Sequence, residues 1–312
     1  MKRGRGYVQS SEERLAHVQR FIARLHFSLP LTTLRAQQER RPCPRCHKRR
    51  LYYCYDCLEV THPECHPPPL ALPLDVNVIL HPNELRGKST SLAASTISPD
   101  LHIHTYPSVP EHLTPADTLV LYPGPDSVGM DEVADLASYK HAVFIDSTWQ
   151  QSKSIARDER VRGFKQVRIK TQTSLFWRFQ NNDPSYLATV EAIYYFLREY
   201  IVQVNKKKEA AQPASEEKAT APPSTEAEEE EEADVQRYYH GEVDDLLFYY
   251  INQYIGVQER YGTKGKMDSY TDRHFEGYIL KDASWEHLVQ GGDTAKAVEG
   301  ETATAAQKSK TE

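Results

Sequence analysis

The chain has 312 residues, 39% hydrophobic and 10% aromatic, enough apolar material for one large domain or two smaller ones with a sizeable core. No apolar run approaches bilayer-spanning length, and the basic N-terminus lacks the apolar segment of a signal peptide, so a soluble intracellular protein is expected. The net charge of −6 hides an uneven spread: residues 206–236 carry ten acids against four bases, residues 1–50 thirteen bases against three acids, and residues 151–180 eight against two. Two basic stretches on an otherwise slightly acidic body suit a polyanionic partner, although a solvated basic face has the same composition.

Ser11-Glu12-Glu13 followed by Leu15, Val18, Phe21, Ile22 and Leu25 predicts a capped helix over 11–29, within an N-terminal segment 1–39. Cys43 and Cys46, then Cys54 and Cys57, form two Cys-x-x-Cys knuckles seven residues apart, the pattern of one structural zinc site on a small ribbon over 40–66. Reduced, metal-free thiols are the alternative; disulfides fit less well, because nothing marks the chain as secreted. His47, His62, Cys65 and His66 read as bystanders, since four thiolates complete a tetrahedral shell. Arg45, Lys48, Arg49 and Arg50 decorate the ribbon and are candidate RNA contacts.

After the proline-rich spacer 67–73, Val76–Leu80 reads as a buried strand, followed by the loop His81-Pro82-Asn83-Glu84-Leu85-Arg86-Gly87-Lys88-Ser89-Thr90. Leu101–Tyr106 alternates like a strand, and Thr118–Tyr122 is another, closed by Pro123-Gly124-Pro125-Asp126-Ser127. Asp131–Tyr139 is expected to form a short helix. Ala142–Ile145 is an apolar run ending in Asp146-Ser147-Thr148-Trp149, with a helix-compatible run from Gln150 to Ile155 behind it. The tetrapeptide should therefore occupy a strand-to-helix turn, where α/β sheets bind ligands. A carboxylate, two hydroxyls and an indole there suit proton transfer and stacking; the plainer reading is an Asp N-cap and a packing Trp. A basic helix containing Lys153 and Arg157 leads to a strand at Gln166–Lys170 and a loop with Trp177 and Arg178, all candidate RNA contacts. Leu187–Phe196 opens a helix, residues 206–236 are a low-complexity acidic insertion expected to be disordered, and Asp244–Tyr254 forms an aromatic helix. The tail, 263–312, is expected to be largely disordered, above all from Gly291 onward. Strands alternating with helices predict an α/β domain over 70–205 and 237–262, its largely parallel sheet covered on both faces.

Asp146-Ser147-Thr148-Trp149 resembles the signature of the DTW-domain family. The stretch from His81 to Thr90, the loop Pro123–Ser127 and the helix start Ala188-Thr189-Val190-Glu191-Ala192 are similar to its other motifs, with Ala188 in place of a Ser. The resemblance implies a SPOUT-like, knotted domain that uses S-adenosylmethionine to transfer a 3-amino-3-carboxypropyl group to N3 of a tRNA uridine, at D-loop position 20. It implies a structural zinc in the ribbon and a nuclear, secondarily cytoplasmic, location; it leaves the oligomeric state open. Carried onto this chain, it makes Asp146 the candidate base, Thr148 its support and Trp149 a stacking surface. Lys88, Ser89, Pro123, Gly124, Ser127, Ser147, Thr189 and Glu191 become candidate donor-binding residues. Two other readings remain at this point: a same-fold enzyme acting on ribosomal RNA or transferring methyl, and a zinc-stabilised RNA-binding protein without catalysis.

Overall fold

The computed structural model describes residues 11–177, 185–211, 227–262, 278–280 and 283–289. Helix α1 (Ser11–Ala23) and the single turn α2 (Thr32–Arg35) precede two small antiparallel hairpins, β1 (Arg41–Pro42) with β2 (Arg49–Arg50) and β3 (Tyr53–Cys54) with β4 (Glu59–Val60). The main domain then runs β5 (Asp75–Leu80), α3 (Ser91–Ile97), β6 (Leu101–Thr105), β7 (Thr118–Leu121), β8 (Val128–Gly129), β9 (His141–Asp146), α4 (Trp149–Ala156), α5 (Glu159–Arg162) and β10 (Lys165–Arg168). It continues with α6 (Thr189–Ala211), α7 (Ala227–Tyr238), α8 (Phe248–Gly262) and the short α9 (Glu286–Val289).

The six strands of the large sheet lie in the order β6-β5-β9-β7-β10-β8, and every neighbouring pair is parallel. Side chains alternate between two buried faces, as a sheet covered on both sides requires. Val76, Val78, Leu119, Ala142 and Phe144 face the larger core with α1, α3, α6 and α8, where Phe144 meets Phe196 edge-on at 5.1 Å. Ile79, Val120 and Val143 face a smaller core closed by Ile155 of α4, Val161 of α5 and Phe164. The parity places Asp146, two residues beyond Phe144, on the side of the larger core.

Four stretches differ from expectation. Residues 131–139 form only a 3₁₀ turn at Leu136–Ser138. Met130, Val133 and Leu136 are all buried at a spacing of three, so consecutive turns bury them without a helix. The helix expected over 11–29 ends at Ala23 and unwinds through backbone turns at Arg24 and Leu25. The acidic insertion expected to be disordered over 206–236 is helical on both sides: α6 continues to Ala211 and α7 starts at Ala227, tied together by Lys206–Asp234 and Arg237–Glu209 ion pairs. Residues 212–226 lie outside the described residues. In the tail, Trp285 is buried edge-on against Tyr254, and Gln258 bonds both Tyr278 O and Leu280 N, so part of 263–312 packs on α8. The expectation for the segment beyond Gly291 lies outside the described residues.

Candidate active site

Strands β5 and β9 finish level, with Leu80 opposite Asp146. The chain leaves them on opposite sides of the sheet: α3 packs in the larger core, and Ile155 of α4 in the smaller one. Neighbouring strands whose continuations part in this way leave a crevice at their carboxyl ends. The loops after β7 and β10 finish on the same edge, because β10 pairs in parallel register with β7.

Asp146 is 5% exposed in this crevice, and three hydroxyls converge on its carboxyl group. Ser89 and Ser91 donate to Oδ2 at 2.6 and 2.7 Å, and Thr189, the first residue of α6, donates to Oδ1 at 2.9 Å. An ionised carboxylate offers about four acceptor positions, two on each oxygen. Among the described residues Oδ2 is therefore saturated, and Oδ1 keeps one position for a ligand or a proton. A second tie joins the same two helices, since Val190 N donates to Thr90 Oγ1 at 3.2 Å. The positive end of the long helix α6 adds to the field that favours an anion here.

Asp146 is not the helix cap. Thr148 holds that position with extended backbone, and Gln151 Oε1 accepts from its N–H at 3.3 Å in a capping box. Trp149 opens α4, but its side chain lies outside what the structure describes. Ser147 donates to Thr148 O at 3.2 Å, and Lys88 is exposed on the loop that leads to Ser89. Pro123 is exposed, while the Ser127 hydroxyl turns back onto Gly124 O at 2.8 Å, which shapes the loop after β7. A Cβ at Gly124 would lie 2.5 Å from Gln166 Oε1, the movable end of a β10 side chain, so the loop lies close against β10. Ser91, which the sequence reading did not single out, was signalled only by standing in the same run of hydroxyl residues as Ser89 and Thr90.

Glu191 sits one residue beyond Val190 and is 2% exposed. It accepts from Leu175 N at 2.6 Å, Ala188 N at 2.7 Å and the Ser174 hydroxyl at 2.7 Å. Burial pushes its carboxyl up while these donors pull it down, with a net rise. The contacts make it a latch between the loop after β10 and the start of α6. Ala188 contributes its backbone N–H to this latch, so the absent hydroxyl there leaves the Thr189–Asp146 bond intact.

The candidate RNA contacts are dispersed. Arg45 is exposed on the first knuckle. Lys48 and Arg50 both pair with Asp56, and Arg49 pairs with Glu39 at 3.4 Å, so much of the ribbon's positive charge is met locally. Lys153 is exposed on α4, and Arg157 is exposed just after it. Trp177 packs on Tyr250 at 5.3 Å at the edge of the larger core, and Arg178 lies outside the described residues.

The ligand atoms of Cys43, Cys46, Cys54 and Cys57 all lie within 4.8 Å of one another, with Cys46 and Cys54 sulfurs at 3.6 Å. Zinc–sulfur bonds of about 2.3 Å in a tetrahedron put sulfurs about 3.8 Å apart, so the cluster fits one ion. Each knuckle sits on one of the two small hairpins and closes in the same way: His47 N bonds Cys43 O at 3.0 Å, and Leu58 N bonds Cys54 O at 2.7 Å. His47 and Leu58 both take the left-handed region, at φ 58° and 60°, a conformation that L-residues hold only when the surroundings impose it. Burial pushes the Cys54 thiol up, but backbone N–H groups of Cys57 and Asp56, with the neighbouring thiols, bring it down to about 7. His62 and His66 are held elsewhere, by Glu64 and Glu39 O and by Tyr249 and Thr96 O. The second hairpin also braces the site: Tyr55 O accepts from Arg86 Nε at 2.8 Å, and the Tyr55 ring lies against Gly87 on the loop to Ser89.

Among the described residues no helix is long and apolar enough to cross a membrane. The family model for the DTW domain matches residues 51–213. The chain is 30% identical to tRNA-uridine aminocarboxypropyltransferase 1 of Xenopus tropicalis, over 73% of this chain and 83% of that one. It is 32% identical to the Mus musculus protein of the same name, over 74% and 82%, and 33% identical to that of Rattus norvegicus, over 74% and 83%. No solved structure matches. A family model covering more than half the chain, and relatives matched along most of their length, agree with the motifs gathered around Asp146: the chain belongs to the DTW-domain family.

Proposed function

We propose that this chain is a tRNA-uridine aminocarboxypropyltransferase that takes its 3-amino-3-carboxypropyl group from S-adenosylmethionine. The observation that carries the reading is the convergence on Asp146 of hydroxyls from two further family-like stretches, Ser89 from the first and Thr189 from the last. The relatives' names supply the reaction class. In the transfer, uridine N3 forms a bond to the aminocarboxypropyl carbon as the carbon–sulfur bond breaks, methylthioadenosine leaves as a neutral thioether, and the N3 proton is released. The sulfonium is already a good leaving group, so the protein's tasks are alignment and removal of that proton. Asp146 is the base through the open position on Oδ1; the three hydroxyls fix the carboxylate's orientation, and Thr148 fixes the turn beside it. Trp149 supplies a ring face for uracil or adenine, and Lys88 a cation for the donor's carboxylate. N3 lies on the Watson–Crick edge, so the target must be unpaired or flipped, as a tRNA loop permits.

The D-loop position 20 and a nuclear, secondarily cytoplasmic, place of action belong to the same reading and rest on the resemblance. So does the knotted, SPOUT-like path. The ion in the ribbon is read as structural Zn²⁺, held by Cys43, Cys46, Cys54 and Cys57; its role is to keep Tyr55 against the loop to Ser89. Elemental analysis should find one zinc per chain, and its absence from folded, reduced protein would contradict this role. The test of the function is nucleoside mass spectrometry after incubating the protein with unmodified tRNA and S-adenosylmethionine. Aminocarboxypropyluridine and methylthioadenosine in equal amounts are expected; methylated uridine, or tRNA left unmodified, would overturn the reading.

A further inference from the structure

A cleft of about 940 Å³ lies between α1, the residues 171–173 after β10, α6 and α7. Its walls carry His17, Arg20 and Arg24 from α1 and the residues just after it, and Arg198 from α6. Arg20 and Arg24 are exposed, and the Arg198 guanidinium is held 4.8 Å over the Tyr195 ring. Burial pushes the His17 imidazole below its ordinary value, and Arg20, Arg14 and Arg24 push it further, which marks concentrated positive potential. Helix α6 links the cleft to Asp146: Thr189 touches the carboxylate, and Tyr195 and Arg198 of the cleft wall follow about 9 and 14 Å along the axis. The outer wall is the acidic helix α7. There Asp234 pairs with Lys206 on α6, whereas Glu232 reaches across to Arg24.

Resting on the reading of this chain as an RNA-modifying enzyme, we propose that this cleft binds the phosphate backbone of the substrate RNA, and that Glu232 competes with the phosphates for Arg24. The groove is cationic, and α6 runs from the Asp146 crevice to its wall, a distance that chain flanking the target nucleotide can span. A carboxylate already seated on one of its arginines shows that the groove accepts an anion at that point. It was not legible in the sequence because its cations come from α1 and α6, far apart in the chain and joined only when Phe21 packs on Tyr194 and Tyr195.

The test is binding of a labelled, unmodified tRNA transcript to the full chain without donor, across salt concentrations of about 50 to 200 mM. Each phosphate contact contributes about 0.7–0.9 to the slope of log affinity against log salt. Arg20→Gln with Arg24→Gln should weaken binding and flatten that slope by about two units. Glu232→Gln should tighten binding and steepen the slope, because Arg24 is released. All the altered side chains are exposed, so the fold is retained, and circular dichroism confirms it. An unchanged slope in the double variant, or parental affinity in Glu232→Gln, overturns the proposal. Because no donor is present, failure of the transfer assay leaves this test intact, and a transferring parent with an unaltered double variant overturns the cleft alone.

Discussion

Asp146 and Glu191 are two buried carboxylates held at the start of the same helix, and their donors differ in kind. Glu191 is met by two backbone N–H groups, Leu175 and Ala188, and by the Ser174 hydroxyl. Backbone donors cannot turn away, so this group is committed to holding a loop against α6. Among the described residues Asp146 is met by three hydroxyls, each on a rotatable side chain, and Oδ1 keeps an acceptor position. Hydroxyls can also accept, so the cluster can readjust when a proton or a ligand arrives. Burial alone does not distinguish a latch from a reactive group; the nature of the donors does.

The sharpest way to break this comparison on the structural side is Glu191→Ala. It strands two backbone N–H groups and a hydroxyl in the core, and each unsatisfied buried donor costs about 1–3 kcal/mol. A loss of about 3 kcal/mol or more in denaturant unfolding is expected, larger than for any single change at the Asp146 hydroxyls. A stable Glu191→Ala variant would mean that water reaches those donors and that the latch is not structural.

Next in size, Ser89→Ala with Ser91→Ala removes both donors that Oδ2 has among the described residues. Hydrogen bonds to a charged group contribute about 1.5–3 kcal/mol, so a fall of about tenfold or more in single-turnover rate is expected, with each single variant losing less. Loss of folding without a change in rate per folded molecule would make Asp146 a second latch.

The smallest effect concerns a third carboxylate, Asp158, whose main partner is a charge. It caps α5 and bonds Arg160 through backbone and guanidinium, with Tyr106 as a further donor. The Arg160 side chain, foremost, holds it well below the usual carboxylate range. A lowered folded value means that its contribution is present above about pH 3.8 and is lost as pH falls toward the folded value. Asp158→Asn should therefore give a flatter acid-unfolding curve below pH 3.8, with a deficit at neutral pH of about 1 kcal/mol or less, because Asn also caps and the Arg160 side chain is half in solvent. A variant as acid-sensitive as the parent would show that Asp158 does not contribute to acid unfolding.

The sheet was legible because buried parallel strands leave short apolar runs, and Val76–Leu80, Thr118–Leu121 and Ala142–Ile145 all do so. Strand β8 was not, since Val128–Gly129 is too short to make a pattern. The turn at Asp146 was legible as a place, from a strand ending in capping residues, but the assignment of roles was not. Asp and Thr both cap helices, and only tertiary packing gives the cap to Thr148 and turns Asp146 toward α3 and α6. The burial of Trp285 likewise depends on α8, distant in sequence, and leaves no local signal.

The measurement closest to the central claim is single-turnover transfer by Asp146→Asn at saturating S-adenosylmethionine and tRNA. The cap at Thr148 is untouched, and the substitution keeps the side chain's size while removing its ability to take a proton. General-base catalysis is worth roughly a hundred- to ten-thousandfold, and a loss of that order with both ligands still bound is the expected result. Product formation at near the parental rate would contradict the assignment of Asp146 as the base.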